Sequence, residues 1–367
     1  MRVLGSSNIN ILDNEIHDVG VTGIRSDDSY VVVAGNKVHD TGRIQLTGRG
    51  MVVKDYNNIV RHNDVYNTGY NGMTIAGNKS LYYNNDIFNF VSTSADGGGI
   101  YYHTTAQNEN DKSHIAVRNN YIHDFKQLWP GRSNVYGFYQ DGRGPKHNLI
   151  SHNIIESPFS GKSSAVVFKG QRNFLLNNIF VCINGKLCVF GHSHVSAPSR
   201  NNNIHKNIFY MSSGSGDLLS LRINAFTYGD TINQLFLTMA SNLLYAEGGN
   251  VVVDSFMPDP PISFSEWAGQ NNNDAGSLIS DPLFRNPTGE DYGFDSGSPA
   301  YGLGIGDISQ AFGSGNSQYD SYCYIPVSFT ASIPLNETVD EAFNETVNDT
   351  DNVTRELLQN PDIDSDS

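Results

Sequence analysis

The sequence is poor in cysteine, in positive charge, in long apolar runs and in helical periodicity. Cys182, Cys188 and Cys323 are an odd and sparse set in 367 residues, which excludes a disulfide framework. Cys182 and Cys188 lie close enough in sequence to pair across a turn; the simpler reading is two small buried apolar side chains. No run of 18 apolar residues occurs, so no helix of the chain spans a membrane. The opening MRVLGSSNIN has no apolar core of a signal peptide. It runs into a repeat within ten residues, and the expectation is that the natural N-terminus lies upstream of Met1. Lys and Arg number 23 against 38 Asp and Glu, a net charge of −15. Nucleic acid, which needs a basic face, is excluded as a partner. Much of that charge sits at the end: Asn336 to Ser367 carries ten acids and one base, Arg355.

Glycine, asparagine and aromatics are abundant instead. Asn and Gly favour tight turns, and the Val, Ile, Tyr and Phe between them favour strands. The arrangement is periodic. An Asn-x-apolar step recurs at Asn14, Asn36, Asn63, Asn85, Asn120, Asn153, Asn178, Asn207 and Asn242, with spacings of 22, 27, 22, 35, 33, 25, 29 and 35 residues. The shortest spacing is one coil, and the longer ones are a coil plus an insertion. Each coil holds three short apolar runs, too short and wrongly spaced for helices. Three short strands per coil, stacked on the same strands of the next coil, predict an all-β, right-handed parallel β-helix of about eight or nine coils. The repeated Asn is expected to bond up the stack from a turn position that accepts left-handed backbone. The pairs His17-Asp18, His39-Asp40 and His123-Asp124 fall at one turn position of separate coils, so solvated turns are expected there and no metal.

The β-helix is predicted to occupy residues 1–257. Phe256 to Asn273, with three prolines and Trp267, breaks the repeat. Residues 258–335 are predicted to form a cap, with Ser280 to Gly313 covering the open strand edges of the last coil. Residues 336–367 are acidic, poor in aromatics and expected to be disordered. Four glycosylation sequons lie there, at Asn336, Asn344, Asn348 and Asn352, with a fifth at Asn78. They point to a secreted glycoprotein.

Aligning the glycine-apolar step of the third strand places Ile24, Val52, Met73, Ile100, Phe138, Val167 and Val189 inward. Three residues further on, Asp27, Asp55, Ala76, His103, Asp141, Gly170 and His192 form an outward column. Lys54 and Lys169 fall nominally inward. An unpaired buried lysine is costly, so both are expected to turn out toward the outer face. The stretch DGGGIYYH (Asp96 to His103) and its companion YGFYQDG (Tyr136 to Gly142) break the monotony with two carboxylates, Asp96 and Asp141, beside tyrosines. Aromatic faces beside acids suit a sugar ring. Two carboxylates across one cleft are the machinery of glycoside cleavage. As turn residues the same acids would have no chemistry. Candidate substrate contacts are Tyr101, Tyr102, His103, Tyr139, Lys54, Asp55, Lys169 and His192.

From Asn8 to Gly313 the order of the blocks IHDVGVTGI, DGGGIYYH, RNNYIHDF, VYGFYQDG, NNIFV, DPLFRNP and SPAYGLG resembles the β-helix enzymes of glycoside hydrolase family 141, within the pectin-lyase-like superfamily. The resemblance implies a secreted glycan-degrading β-helix whose catalytic acids match Asp96 and Asp141. It also has departures. Gly142 stands where relatives carry a second acid, Tyr102-His103-Thr104 replaces a Gly-Arg step, and Cys182 replaces an acid. The expected function is a glycoside hydrolase acting as a monomer on a polysaccharide or oligosaccharide, with no cofactor. Two alternatives stay open. One is a lyase or epimerase of the same fold, in which a base such as Lys54, Lys169 or Tyr139 works beside Arg143 and Ca²⁺ becomes possible. The other is a non-catalytic glycan-binding or adhesive β-helix.

Overall fold

A computed structural model describes residues 1–3, 5, 7–104, 114–125, 134–142, 147–157, 164–168, 170–182, 187–192, 202–211, 219–224, 236–247, 251–255, 262–271, 274–308, 310 and 312–315. The acidic tail and its four sequons lie outside these residues. Among the described residues the strands stack into three long sheets, of eleven, nine and ten strands, whose neighbours always come from consecutive coils. The pairs are parallel, apart from one antiparallel strand at the end of the first sheet. This is the right-handed parallel β-helix expected from the repeat. No helix among the described residues is long and apolar enough to cross a membrane.

The asparagine ladder runs the length of the rod. Asn153 is representative. Its Oδ1 accepts from the backbone N–H and side-chain amide of Asn120, both at 2.9 Å. Its own amide donates to the Val117 carbonyl and to Asn178 Oδ1, again at 2.9 Å. The same pattern links Asn14 through Asn242. One expectation is corrected: the left-handed backbone belongs to the residue before each ladder asparagine, such as His62, Asn84, Asn119, His152 and Asn177, all with φ between 50° and 56°. The ladder side chain itself is buried. The strand turns one residue earlier so that the amide can point inward and find carbonyls in two coils.

A second column is made of glycine. Gly23, Gly50, Gly72, Gly99 and Gly137 each precede the inward residue of the first sheet. A Cβ at Gly99 would stand 2.5 Å from Ile122 Cγ2, and one at Gly137 would stand 2.2 Å from Ile155 Cγ2. The first and third sheets therefore approach too closely at this corner for any side chain. The core between the sheets holds Ile24, Met51, Met73, Ile100, Phe138, Val166, Phe180 and Phe209.

The His-Asp pairs correct the expectation of solvated turns: His39 and Asp40 lie within strand Lys37–Thr41, and His123 ends strand Tyr121–His123 and is buried. Asp18, Asp40 and Asp124 are left-handed, with φ of 54°, 51° and 47°, and each accepts from the histidine before it. The rings form an outward stack on the third sheet, His17 on His39, then Tyr66, Phe88 and His123, with centroids 4.6–5.3 Å apart. No group of three or more metal-binding side chains occurs among the described residues.

The C-terminal region divides its labour differently from expectation. The helix Phe264–Asn271 closes the end of the rod, with Phe264 and Trp267 buried in the main core. The Trp267 indole donates to Asp274 at 2.8 Å, and Asp274 accepts from Asn242, the last ladder asparagine, at 3.1 Å. Strand Leu278–Ile279 still adds a parallel rung to the third sheet. Ser280 to Gly313 does not cover the strand edges of the last coil. It runs back along the outside of the third sheet, where Phe284, Tyr292, Phe294 and Ile308 bury against Tyr121, Ile154, Ile179 and Tyr210. The apolar outer residues of this sheet are the physical reason, since they need cover over several coils. The return reaches far: Gly313 N–H bonds the Asn84 carbonyl, and Ser314 bonds Asp64.

Glu156 fastens this strap to the rod. It accepts from Tyr292 Oη at 2.8 Å and from Tyr121 Oη. Burial raises its carboxyl above the usual range, and the two phenols oppose that shift only partly. A raised folded-state pKa stabilises below the ordinary carboxylate range, and the stabilisation is lost as pH rises through the raised value. Glu156→Gln keeps an acceptor for both phenols and removes the ionisation. The variant should gain on the wild type in denaturation midpoint as pH is raised from about 4 to about 8. A constant difference across that range would remove Glu156 as the source.

Cys182 is buried and disulfide-bonded, which corrects the simpler reading of it as a free apolar side chain. Asn78 lies half-buried on a turn, and Ser80 of its sequon is buried and accepts from the Asn58 N–H at 3.1 Å.

Candidate functional site

The outer face of the first sheet is widest at two adjacent coils. Strands Asp96–Thr104 and Asn134–Gly142 have nine residues each, whereas the preceding strand Met73–Ile75 has three. They pair from Asp96↔Asn134 through His103↔Asp141 to Thr104↔Gly142. The register also corrects the sequence alignment at two coils. Met51, not Val52, pairs with Ile24 and Met73. Val166, not Val167, pairs with Phe138 and Val189. The signal was present at the first of these, where Gly50 precedes Met51 in the glycine column; at the second, Ala165 replaces the glycine and hides it.

A slip of one residue exchanges the two faces of a strand, so the corrections change the site. Lys54 becomes the third residue after its inward anchor and joins the column of Asp27, Ala76, His103 and Asp141. Its backbone N–H continues the ladder to the Ser26 carbonyl at 3.0 Å. The difficulty of an inward lysine disappears. Asp55 leaves the column and turns the chain in a left-handed conformation, φ 81°. Val167 moves outward, against Tyr136 and Tyr139. Lys169 and Arg143 lie outside the described residues. The backbones of His103 and His192 take their places in the first sheet, His192 opposite Asn224, and their side chains lie outside what is described.

Tyr101, Tyr136 and Tyr139 form one aromatic cluster, with Tyr70 at its margin. The Tyr136 and Tyr139 rings are 4.6 Å apart, Tyr139 and Tyr101 5.1 Å and edge-on, Tyr101 and Tyr70 6.4 Å. Gly98 makes room for it, since a Cβ there would lie 3.0 Å from Tyr139 Cβ. The Gly98 N–H is held by Asn71 Oδ1 at 2.9 Å. Tyr139 is 6% exposed, so its ring is covered by its neighbours, and the half-buried Tyr70 and Tyr101 are the surfaces left for a ligand. Tyr102 is 0% exposed and stands in the core. Strand alternation turns it opposite to Tyr101, and it is withdrawn as a substrate contact.

Asp141 is held at this cluster. Tyr101 Oη donates to Asp141 Oδ2 at 2.7 Å. Asp96 lies seven positions back along the strand, at the rung of Asn134. Burial raises the phenols of Tyr70, Tyr101 and Tyr139, and the negative charges of both Asp96 and Asp141 raise each of them further. The two acids belong to opposite ends of paired strands. Arg49, at the margin, lies with its guanidinium carbon 5.2 Å from the centre of the Tyr70 ring. Arg49, Tyr70, Asn71 and Tyr136 escape a column-by-column reading because they lie before the glycine step, where the coil still turns. Their one signal is proximity to Gly50, Gly72 and Gly137.

Fold and site together define a right-handed parallel β-helix carrying an acid-and-tyrosine face on its widest sheet. No known protein family matches the chain, and no curated protein matches it. Among solved structures, one described as the complex structure of XylC with xylose is similar at a TM-score of 0.34 and 12% identity, over 69% of this chain. The chain spans 39% of the length of that protein.

Proposed function

We propose that the protein is a glycan-processing β-helix, and that it hydrolyses glycosidic bonds with Asp96 and Asp141. The supporting observation is that Asp141 accepts from Tyr101 in a tyrosine cluster with half-buried rings at its edge, and that the strand pair forming this face also carries Asp96. Asp141, as the acceptor of the Tyr101 hydroxyl, has the character of the base or nucleophile. Asp96 then protonates the leaving oxygen. The likeness of the DGGGIYYH and VYGFYQDG blocks to glycoside hydrolase family 141 agrees with this reading. The disulfide at Cys182 agrees with secretion into an oxidising compartment.

A phenol raised by burial and by two neighbouring carboxylates is a poor proton acceptor, which weighs against Tyr139. Incubation of the purified protein with a panel of plant, algal and microbial glycans tests the proposal. New reducing ends without unsaturated uronate are expected. Unsaturated product would establish a lyase instead, and binding without turnover would establish a non-catalytic module.

A further inference from the structure

Arg49 differs from the other arginines with described partners. Arg25 forks onto Asp27 at 2.7 and 3.2 Å, Arg43 bonds Asp18, and Arg285 forks onto Asp291 at 3.0 Å. Arg49 makes no such ion pair among the described residues. Its Nε is buried without a hydrogen-bond partner. Its one described side-chain contact is the face of Tyr70.

A guanidinium stays ionised at any accessible pH, and a half-buried charge favours a counter-ion. With Nε buried, the edge formed by the two Nη groups carries the donors left for a ligand. That edge matches a carboxylate or sulfate, which it binds with two parallel hydrogen bonds, better than a neutral hydroxyl. Tyr70 connects this charge to the acid pair. Its ring lies 5.2 Å from the Arg49 guanidinium carbon and 6.4 Å from the ring of Tyr101, which holds Asp141. Arg49 lies two residues before strand Met51–Val53, which is two rungs before strand Asp96–Thr104. At the spacing of stacked strands that is about 10 Å along the rod.

We propose that Arg49, backed by Tyr70, is a subsite for an anionic substituent, so that the substrate is an acidic glycan bearing a carboxylate or a sulfate ester. This rests on the glycan-processing reading of the same face. Calorimetry decides it with three oligosaccharides of one backbone: neutral, uronate-bearing and sulfated. The wild type should bind at least one acidic form tenfold or more tighter than the neutral one, and added salt should weaken only that excess. Which acidic form gains identifies the anion. Arg49→Gln should lose the preference while keeping its affinity for the neutral glycan, and Arg49→Lys should keep part of it. Equal affinity for all three ligands, or an equal loss for all three in Arg49→Gln, would overturn the subsite and leave glycan binding standing. Failure of the wild type to bind any of the panel would overturn both readings. Should Arg49→Gln not fold, the salt dependence of the wild type and the Arg49→Lys variant decide alone.

Discussion

Asn153→Ala is expected to cost about 4 kcal/mol or more of folding stability, on the scale of about 1–3 kcal/mol for each buried group left without its partner. Four hydrogen bonds end on this side chain, two received from Asn120 and two given to Val117 and Asn178. All lie in the interior, where water cannot replace them at little cost. Alanine strands the backbone N–H of Asn120 and takes a donor from the Val117 carbonyl, both in the preceding coil. The loss is a large fraction of the whole stability of an ordinary domain, about 5–15 kcal/mol. A stack in which each coil contacts only its neighbours feels it as a broken interface. Urea titration followed by circular dichroism measures it, with the exposed Asn10→Ala as a control expected within about 0.5 kcal/mol of wild type. A midpoint for Asn153→Ala matching that control would mean that the ladder follows the fold and does not hold it.

The second large effect is on turnover. Asp141→Asn should lower kcat on whichever glycan the panel identifies by about 10²–10⁴-fold, the usual contribution of a positioned acid or base. Substrate binding should be nearly unchanged. Asparagine keeps an oxygen that can accept the Tyr101 hydroxyl, so the cluster stays in place and only the proton-accepting carboxylate is lost. Asp96→Asn should fall in the same range, because either half of an acid–base pair is needed for the step. Unchanged kcat in both variants would remove the pair from the mechanism while leaving the aromatic face as a binding surface. Calorimetry on the two variants separates these outcomes, since retained affinity with lost turnover is the signature of a chemical role.

Much of the molecule was legible from the chain. Asn14 through Asn242 stand where the spacing placed them, because a ladder amide works only at one point in each coil, and that point leaves a periodic mark. The prominence of Asp96 to His103 was legible too, and the pairing of His103 with Asp141 followed from counting along the strand. Tyr102 was misplaced because the block was read as one motif, whereas alternation divides it between two faces. Lys54 and Asp55 were exchanged by one residue, since Met51 and Val52 are both apolar and only the glycine column tells them apart. The strap from Ser280 to Gly313 was recognised as a cover but assigned to the wrong surface. The apolar outer face of the third sheet that receives it is assembled from residues of many coils and has no local signature.

The sequence by itself determined the architecture, because a β-helix repeats one set of turn and ladder requirements that each coil must meet locally. The tertiary structure alone decided what the acid-bearing stretch faces. Asp96 and Asp141 come from opposite ends of paired strands, and Tyr101 holds Asp141. Arg49 and Tyr70 join them from earlier coils. Such a meeting depends on strand register and on where a glycine lets two sheets close up, and neither is settled until neighbouring coils are packed against each other.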